Sequence, residues 1–144
     1  MPFVLDASVT LAWLIEGEAT SYSSAVLDRL RDEGAVVPAV WPLEVANALL
    51  MGERRGRVSM AEVTRATELL TDLPITLHPV DVSLAWGPTL ALARQQAITV
   101  YDAIYLELAV REGLPLATQD ARLRAAAERA GVEVLADPAA GEGD

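Results

Sequence analysis

TVYDAIYLELAVREGLPLATQD, residues Thr99 to Asp120, holds two acids in places acids rarely occupy. With about 100° of turn per residue in a helix, Asp102 lies about 140° to 180° around from Glu107 and Arg111. It therefore points away from the charged stripe, toward Ala103, Leu106 and Ala109, and a carboxylate there needs a reason. Leu-Pro-Leu-Ala-Thr at 114–118 reads as a short buried strand, so Asp120 follows it at its carboxyl end, where open α/β sheets build sites.

Outward from that stretch, strands alternate with helices. Phe3-Val4-Leu5 is a short strand ending at Asp6, and a helical pattern runs on through Ile15. Thr20 to Glu33 is an amphipathic helix with Tyr22, Val26 and Leu30 on one face and Gly34 as its stop. Ala35 to Val37 is the second strand, and Trp41 to Arg54 is a nearly all-apolar helix with Pro42 in its first turn. Ser59-Met60-Ala61-Glu62 is a capping box opening a helix to about Asp72, and Ile75 to Val80 is the third strand. Residues 81–96 are helical in pattern, but Gly87-Pro88 must break or bend them. A helix over 100–112 closed by Gly113, a strand over 114–118, a helix over 121–130 closed by Gly131 and a strand over 132–135 complete the pattern. Such alternation predicts an α/β fold, a three-layer α/β/α sandwich around a central parallel sheet. We expect one domain over 1–136 and a loose tail over 137–144, where no packing pattern persists.

At 144 residues, 52% hydrophobic and 22% charged, the chain suits one globular domain. No apolar run approaches the ~18 residues of a membrane span and the N-terminus lacks a basic leader, so a cytoplasmic protein is expected. No cysteine and one histidine, His78, exclude thiolate and His-rich metal sites, so any metal is held by oxygen. All 11 basic residues are arginine, which excludes chemistry that needs a lysine. A net charge of −10 argues against nonspecific nucleic-acid binding over the whole surface, though not against a local site.

Four acids fall at one edge of this frame. Asp6 follows the first strand, Glu44 lies in the first turn of the helix after the second, Asp102 opens the helix before the fourth, and Asp120 follows the fourth. Two unit charges about 4 Å apart at an effective dielectric near 20 repel by roughly 4 kcal/mol, so such a cluster needs protons or a cation. Oxygen ligands alone favour Mg²⁺ or Mn²⁺, which suits activating water against a phosphodiester. Each acid also has a plainer role: Asp6 and Asp120 suit N-caps, and Thr99 with Asp102 suits a capping box. Glu44, an acid in an apolar helix, is hardest to explain by structure alone. Ser8 and Thr118 suit hydrogen bonds to the cluster, Asn47 sits three residues from Glu44 on the same face, and Tyr105 reads as core. His78, at a strand end, reads as a surface residue. Arg54, Arg55 and Arg57 form a basic turn, the best local candidate for touching phosphates.

Val4-Leu5-Asp6-Ala7-Ser8-Val9, Glu44-Val45-Ala46-Asn47-Ala48-Leu49, Tyr101-Asp102-Ala103-Ile104-Tyr105-Leu106 and Leu116-Ala117-Thr118-Gln119-Asp120-Ala121-Arg122-Leu123 together resemble a PIN-domain ribonuclease, most nearly the VapC toxins of toxin–antitoxin pairs. The match runs from about residue 3 to 135. The resemblance implies that Asp6, Glu44, Asp102 and Asp120 bind Mg²⁺ or Mn²⁺ and cleave RNA, with Ser8 and Thr118 in support. It further implies a homodimer and inhibition by a cognate antitoxin protein. Two rivals stand beside it. A noncatalytic binding module could keep this fold to hold a protein partner. An aspartate-based phosphotransfer domain shares the acids but wants a lysine, and none exists.

Overall fold

Phe3, Val4 and Leu5 are fully buried and form β1 (Phe3–Leu5), the strand around which the sheet is built. The structure is a computed structural model describing residues 1–136; the tail expected at 137–144 lies outside the described residues. β2 (Ala35–Pro38) flanks β1 on one side, with Phe3 opposite Ala35 and Val4 opposite Val36. β4 (Leu116–Ala117) flanks it on the other, with Leu5 opposite Ala117. β3 (Ile75–His78) adds outside β2, giving the order β3-β2-β1-β4 with every pair parallel. Helices cover this sheet, as the alternation predicts: a parallel sheet needs crossovers that return the chain to its starting edge.

Two strands differ from expectation. β4 is shorter than 114–118, because Pro115 has no N–H to give a ladder and the Thr118 N–H goes to the Tyr22 hydroxyl at 3.2 Å. The segment 132–135 makes only one bridge, Leu116 to Val134, with Leu116 N donating to Glu133 O at 2.8 Å and Leu135 N to Leu116 O at 2.9 Å. Two residues of β4 cannot template a longer partner.

The helices are α1 (Ala7–Leu14), α2 (Ser21–Glu33), α3 (Trp41–Arg54), α4 (Met60–Thr71), α5 (Val82–Leu84), α6 (Leu90–Gln96), α7 (Val100–Glu112) and α8 (Ala121–Arg129). The Ser59/Glu62 capping box forms as read, and Thr20 with Ser23 makes a second one. Gly34 ends α2 at φ 76°, where a side chain would be strained and would meet the Pro74 carbonyl at 3.3 Å. The break expected at Gly87-Pro88 is instead a π-helical turn, Ala85–Thr89, joining α5 to α6. Proline lacks the N–H and collides with the carbonyl four residues back in an α-helix, and the wider turn relieves both conflicts.

α7 carries the largest correction. Glu107, expected on a wet stripe, is buried at 5% exposure, while Arg111 reaches it with Nε at 2.8 Å from Oε1. Every residue from Ala103 to Ala109 is buried, so this helix has no solvent face over those two turns. Its N-terminus lies at the carboxyl edge of the sheet, because it leads back to the start of β4. α1, α3 and α8 begin at the same edge, each following a strand, so four helix starts converge there.

Candidate active site

Asp6 follows β1 directly, and its N–H donates to Ala117 O at 3.0 Å, which ties it to the end of β4. It occupies the N-cap position of α1 but makes no side-chain cap. Its Oδ2 instead accepts from Ser8 Oγ at 2.7 Å and from Thr118 Oγ1 at 2.8 Å. Those hydroxyls are fixed in turn: Ser8 Oγ accepts from Gln119 N at 2.9 Å, and Thr118 Oγ1 from Asp120 N at 3.0 Å. Burial at 4% exposure pushes the Asp6 carboxyl above the usual range; the two hydroxyls pull against that rise, and Asp120 adds to it.

Glu44 stands in the first turn of α3, beyond β2. Its Oε1 accepts from the hydroxyl of Tyr105 at 3.0 Å, a residue with no exposed surface on the opposing helix α7. Desolvation lifts the Glu44 carboxyl to about 7; Tyr105 opposes the rise, and the negative charges of Asp6 and Asp102 add to it. Tyr105 is itself held neutral by burial and by Glu44 and Asp6. Sequence reading placed Tyr105 in the core, and it is there, but its hydroxyl belongs to the site. Its spacing of three residues from Asp102 is the signal that could have found it.

Asp102 is part-buried in the first turn of α7, where its N–H donates to Thr99 Oγ1 at 3.1 Å. Burial raises its carboxyl, Asp120 and Asp6 raise it further, and Thr99 and Arg122 lower it. Asp120 does cap α8: its Oδ1 accepts from Arg122 N at 2.9 Å and Leu123 N at 3.0 Å. Both N-cap readings are thus answered, Asp120 being a cap as well as a member of the cluster and Asp6 not making one.

The four acids therefore share one electrostatic neighbourhood, each felt by at least one other. As donors they suit a hard divalent cation, whose charge would offset the burial that chiefly raises Asp6, Glu44 and Asp102 and the repulsion that adds to it. Among the described residues, no three acid or imidazole side chains are gathered tightly enough to hold an ion as they stand. Asp6 Oδ2 is clasped by two hydroxyls, Glu44 Oε1 by Tyr105, and Asp120 Oδ1 by the turn of α8, so one oxygen of each is already engaged. Glu44 Oε2 and Asp120 Oδ2 make no hydrogen bond among the described residues.

Other expected members are not brought in. Asn47 is exposed and makes no side-chain hydrogen bond among the described residues, so it does not orient Glu44. Arg54 and Arg55 are exposed at the far end of α3, about 15 Å along the axis from Glu44 at 1.5 Å per residue. Arg57 is paired with Glu18 at 2.9 Å. The basic group that does reach the cluster is Arg122, in the first turn of α8, close enough to lower Asp102. Arg124 lies behind it, donating to Thr118 O at 2.9 Å and resting over the Tyr22 ring at 5.5 Å. His78, set aside as a surface residue, is part-exposed at the end of β3, with Nδ1 3.9 Å from Glu112 Oε1.

Residues 3–129 match the PIN domain family. Ribonuclease VapC3 of Mycobacterium tuberculosis is 36% identical over 120 residues, which covers 83% of this chain and 83% of that protein. Ribonuclease VapC3 of Pyrobaculum aerophilum is 29% identical over 123 residues, covering 85% of this chain and 92% of that one. The crystal structure of PAE2754 from Pyrobaculum aerophilum superposes with a TM-score of 0.65 at 25% identity, over 88% of this chain and 84% of the other. The family match spans the segment that carries the four acids, and this chain belongs to the PIN-domain family, in its VapC-type ribonuclease branch.

Proposed function

We propose that this protein is a Mg²⁺- or Mn²⁺-dependent endoribonuclease that works in the cytoplasm as the toxin of a toxin–antitoxin pair. The observation that carries the reading is the convergence of Asp6, Glu44, Asp102 and Asp120, three of them with raised proton affinity, at the carboxyl edge of a sheet in a chain 36% identical to a ribonuclease. Those four carboxylates would hold the ion. When bound, a divalent ion of this kind lowers the pKa of water and stabilises negative charge developing on a phosphodiester.

The chain's own residues supply the rest. Ser8 and Thr118 keep Asp6 oriented and ionisable despite its burial. Tyr105 holds Glu44 with one oxygen engaged and the other open. With a value of about 7 before an ion is bound, Glu44 is the carboxyl whose proton a cation would displace near neutral pH. Arg122 is the cation placed to meet an RNA phosphate at the cluster. The net charge of −10 keeps RNA away elsewhere and makes binding depend on the ion and this arginine.

An antitoxin and a second copy of the chain are the proposed partners. Exposed Leu43, Leu50, Met60 and Leu69 on α3 and α4 offer apolar surface for such contacts. No described helix is long and apolar enough to cross a membrane.

Cleavage of labelled single-stranded and structured RNAs with Mg²⁺ or Mn²⁺ tests the activity, comparing wild type with Asp102→Asn. Cutting by wild type alone, stopped by chelator, is expected. Equal cutting by both proteins, or full-rate cutting without metal, would overturn it. A noncatalytic module of the same fold would bind the ion or a partner and cut nothing.

A further inference from the structure

A groove runs between the end of α6 and the outer face of α8. It encloses about 330 Å³ and is lined by Gln96, Ile98, Ala121, Arg122, Ala125 and Arg129. Both of its walls start at the acids. Ala121 and Arg122 follow Asp120, whose Oδ1 accepts from Arg122 N at 2.9 Å, and Ile98 precedes Thr99, whose Oγ1 accepts from Asp102 N at 3.1 Å. Arg122 is also near enough to Asp102 to lower its carboxyl. Arg122, Ala125 and Arg129 recur at intervals of three and four residues, so they share one face of α8 as it leads away from its cap at Asp120. Arg129 thus stands about 10 Å beyond Arg122 along the helix axis, at 1.5 Å per residue.

These two arginines are unusual in so acidic a chain. It carries 21 acidic residues to 11 arginines, and Arg29, Arg31, Arg57 and Arg111 each pair with a carboxylate. Arg122 and Arg129 are exposed and form no ion pair among the described residues. Arg129 is nevertheless held in place: its Nε donates to Gln96 Oε1 at 2.8 Å and its Nη2 to Gln96 O at 3.2 Å. That carbonyl lies in the last turn of α6, where the helix itself supplies no donor. The helix stops because Ala97 takes a left-handed backbone at φ 53°, alone among the described non-glycine residues. Both acceptors are neutral, so the guanidinium is oriented while its charge stays uncompensated and its Nη1 stays open.

We propose that this groove carries the RNA strand away from the cut, with Arg122 on the phosphate nearest the acids and Arg129 on a phosphate a nucleotide or two further along. A positively charged groove that follows the backbone binds a single strand with little regard to sequence. None of the lining residues is aromatic, so no base stacks here and the contact is to phosphate. Between the arginines, Ile98, Ala121 and Ala125 offer no charge, which leaves the two guanidinium groups as the anchors. Gln96 is a positioning residue that aims Arg129 at the strand. RNA fits better than an acidic protein segment because the groove begins where the phosphodiester is cut. The inference rests on the ribonuclease reading above and deepens it from one phosphate contact to the path of the strand.

The test uses one cleavable single-stranded RNA, trimmed a nucleotide at a time from either end and cut with Mn²⁺ by wild type, Arg129→Ala, Arg129→Lys and Gln96→Ala. On the untrimmed RNA, Arg129→Ala should raise KM about fivefold with kcat little changed, and should lower the salt dependence of binding by about one phosphate contact. The wild-type advantage should disappear as one end is trimmed back through the groove and persist when the other end is trimmed. Arg129→Lys, which keeps the charge, should keep the salt dependence, and Gln96→Ala, which frees the guanidinium, should raise KM by a smaller factor. A KM ratio that ignores RNA length, or a fall in kcat in place of the rise in KM, would mean that Arg129 serves the fold, and would overturn the proposal with the nuclease reading intact. Absence of cutting by wild type would strike the nuclease reading instead. Fluorescence anisotropy of the same labelled RNAs would then decide the groove: length-dependent binding lost in Arg129→Ala supports it, and no binding, or equal binding by every variant, overturns it. A change of molecular mass in light scattering for Arg129→Ala, with the dependence on RNA length unmoved, would assign the groove to a protein contact and overturn the proposal too.

Discussion

The Tyr105 hydroxyl donates to Glu44 Oε1 at 3.0 Å, joining α7 to α3 across 61 residues of sequence. That bond sets both the position of Glu44 and part of its proton affinity, since it opposes the rise that burial causes. Tyr105→Phe keeps the ring and removes the donor. It should lower kcat about fivefold to tenfold, equivalent to roughly 1 kcal/mol for one hydrogen bond, and move the acid limb of the pH–rate profile to higher pH. A lower rate with the limb unmoved would mean that the bond serves packing only.

Asp6 depends on two hydroxyls in the same way. Thr118→Val and Ser8→Ala each strip one donor from a buried carboxylate, and each should cost about 1–3 kcal/mol in urea unfolding. Because both hydroxyls share Oδ2, and Ser8 and Thr118 lie 3.5 Å apart, the double variant should not equal the sum of the singles. Strict additivity would count against a shared clasp.

Stability without metal should fall as pH rises. Glu44 has an ordinary value of 4.5 and is lifted to about 7, and Asp6 and Asp102 are also raised. A carboxyl raised in the folded state binds more protons there than when unfolded. Its contribution is therefore full below the unfolded value and is lost as pH climbs through the folded one. Melting of the metal-free protein should decline between pH 4.5 and about 7 on this account. Mn²⁺ should raise Tm more at pH 8 than at pH 5, because the ion competes with protons for the same oxygens. A Tm unaffected by Mn²⁺ at pH 8 would remove the cation from the account.

Arg122, not the arginines at 54, 55 and 57, should govern RNA binding at the site. Arg122→Ala should raise KM and reduce the salt dependence of binding by about one phosphate contact. Arg54→Ala and Arg55→Ala lie at the other end of α3 and should change KM less than twofold, as read by cleavage at two salt concentrations. The reverse ranking would place the RNA path along the basic turn.

Much of this protein was legible along its chain, because the signals involved are local. Alternating strand and helix patterns, caps at Ser59 and Gly34, and acids just past a strand or in the first turn of a helix follow from period and turn chemistry, and right-handed crossovers then leave one edge where Asp6, Glu44, Asp102 and Asp120 can meet. What needed the tertiary structure was everything that depends on which partner lies across a gap. Glu107 looks solvent-facing by its spacing, yet neighbouring elements bury α7 from Ala103 to Ala109 and Arg111 pairs with it. Tyr105 reads as an aromatic of the core until α3 places Glu44 against its hydroxyl. The chain shows a basic turn but not its distance from the acids, which the length of α3 sets, while Arg122 is brought in by the cap of α8. Periodicity reports how a residue faces its own helix or strand, but burial, proton affinity and hydrogen bonding belong to pairs, and those pairs exist only once distant segments are packed together.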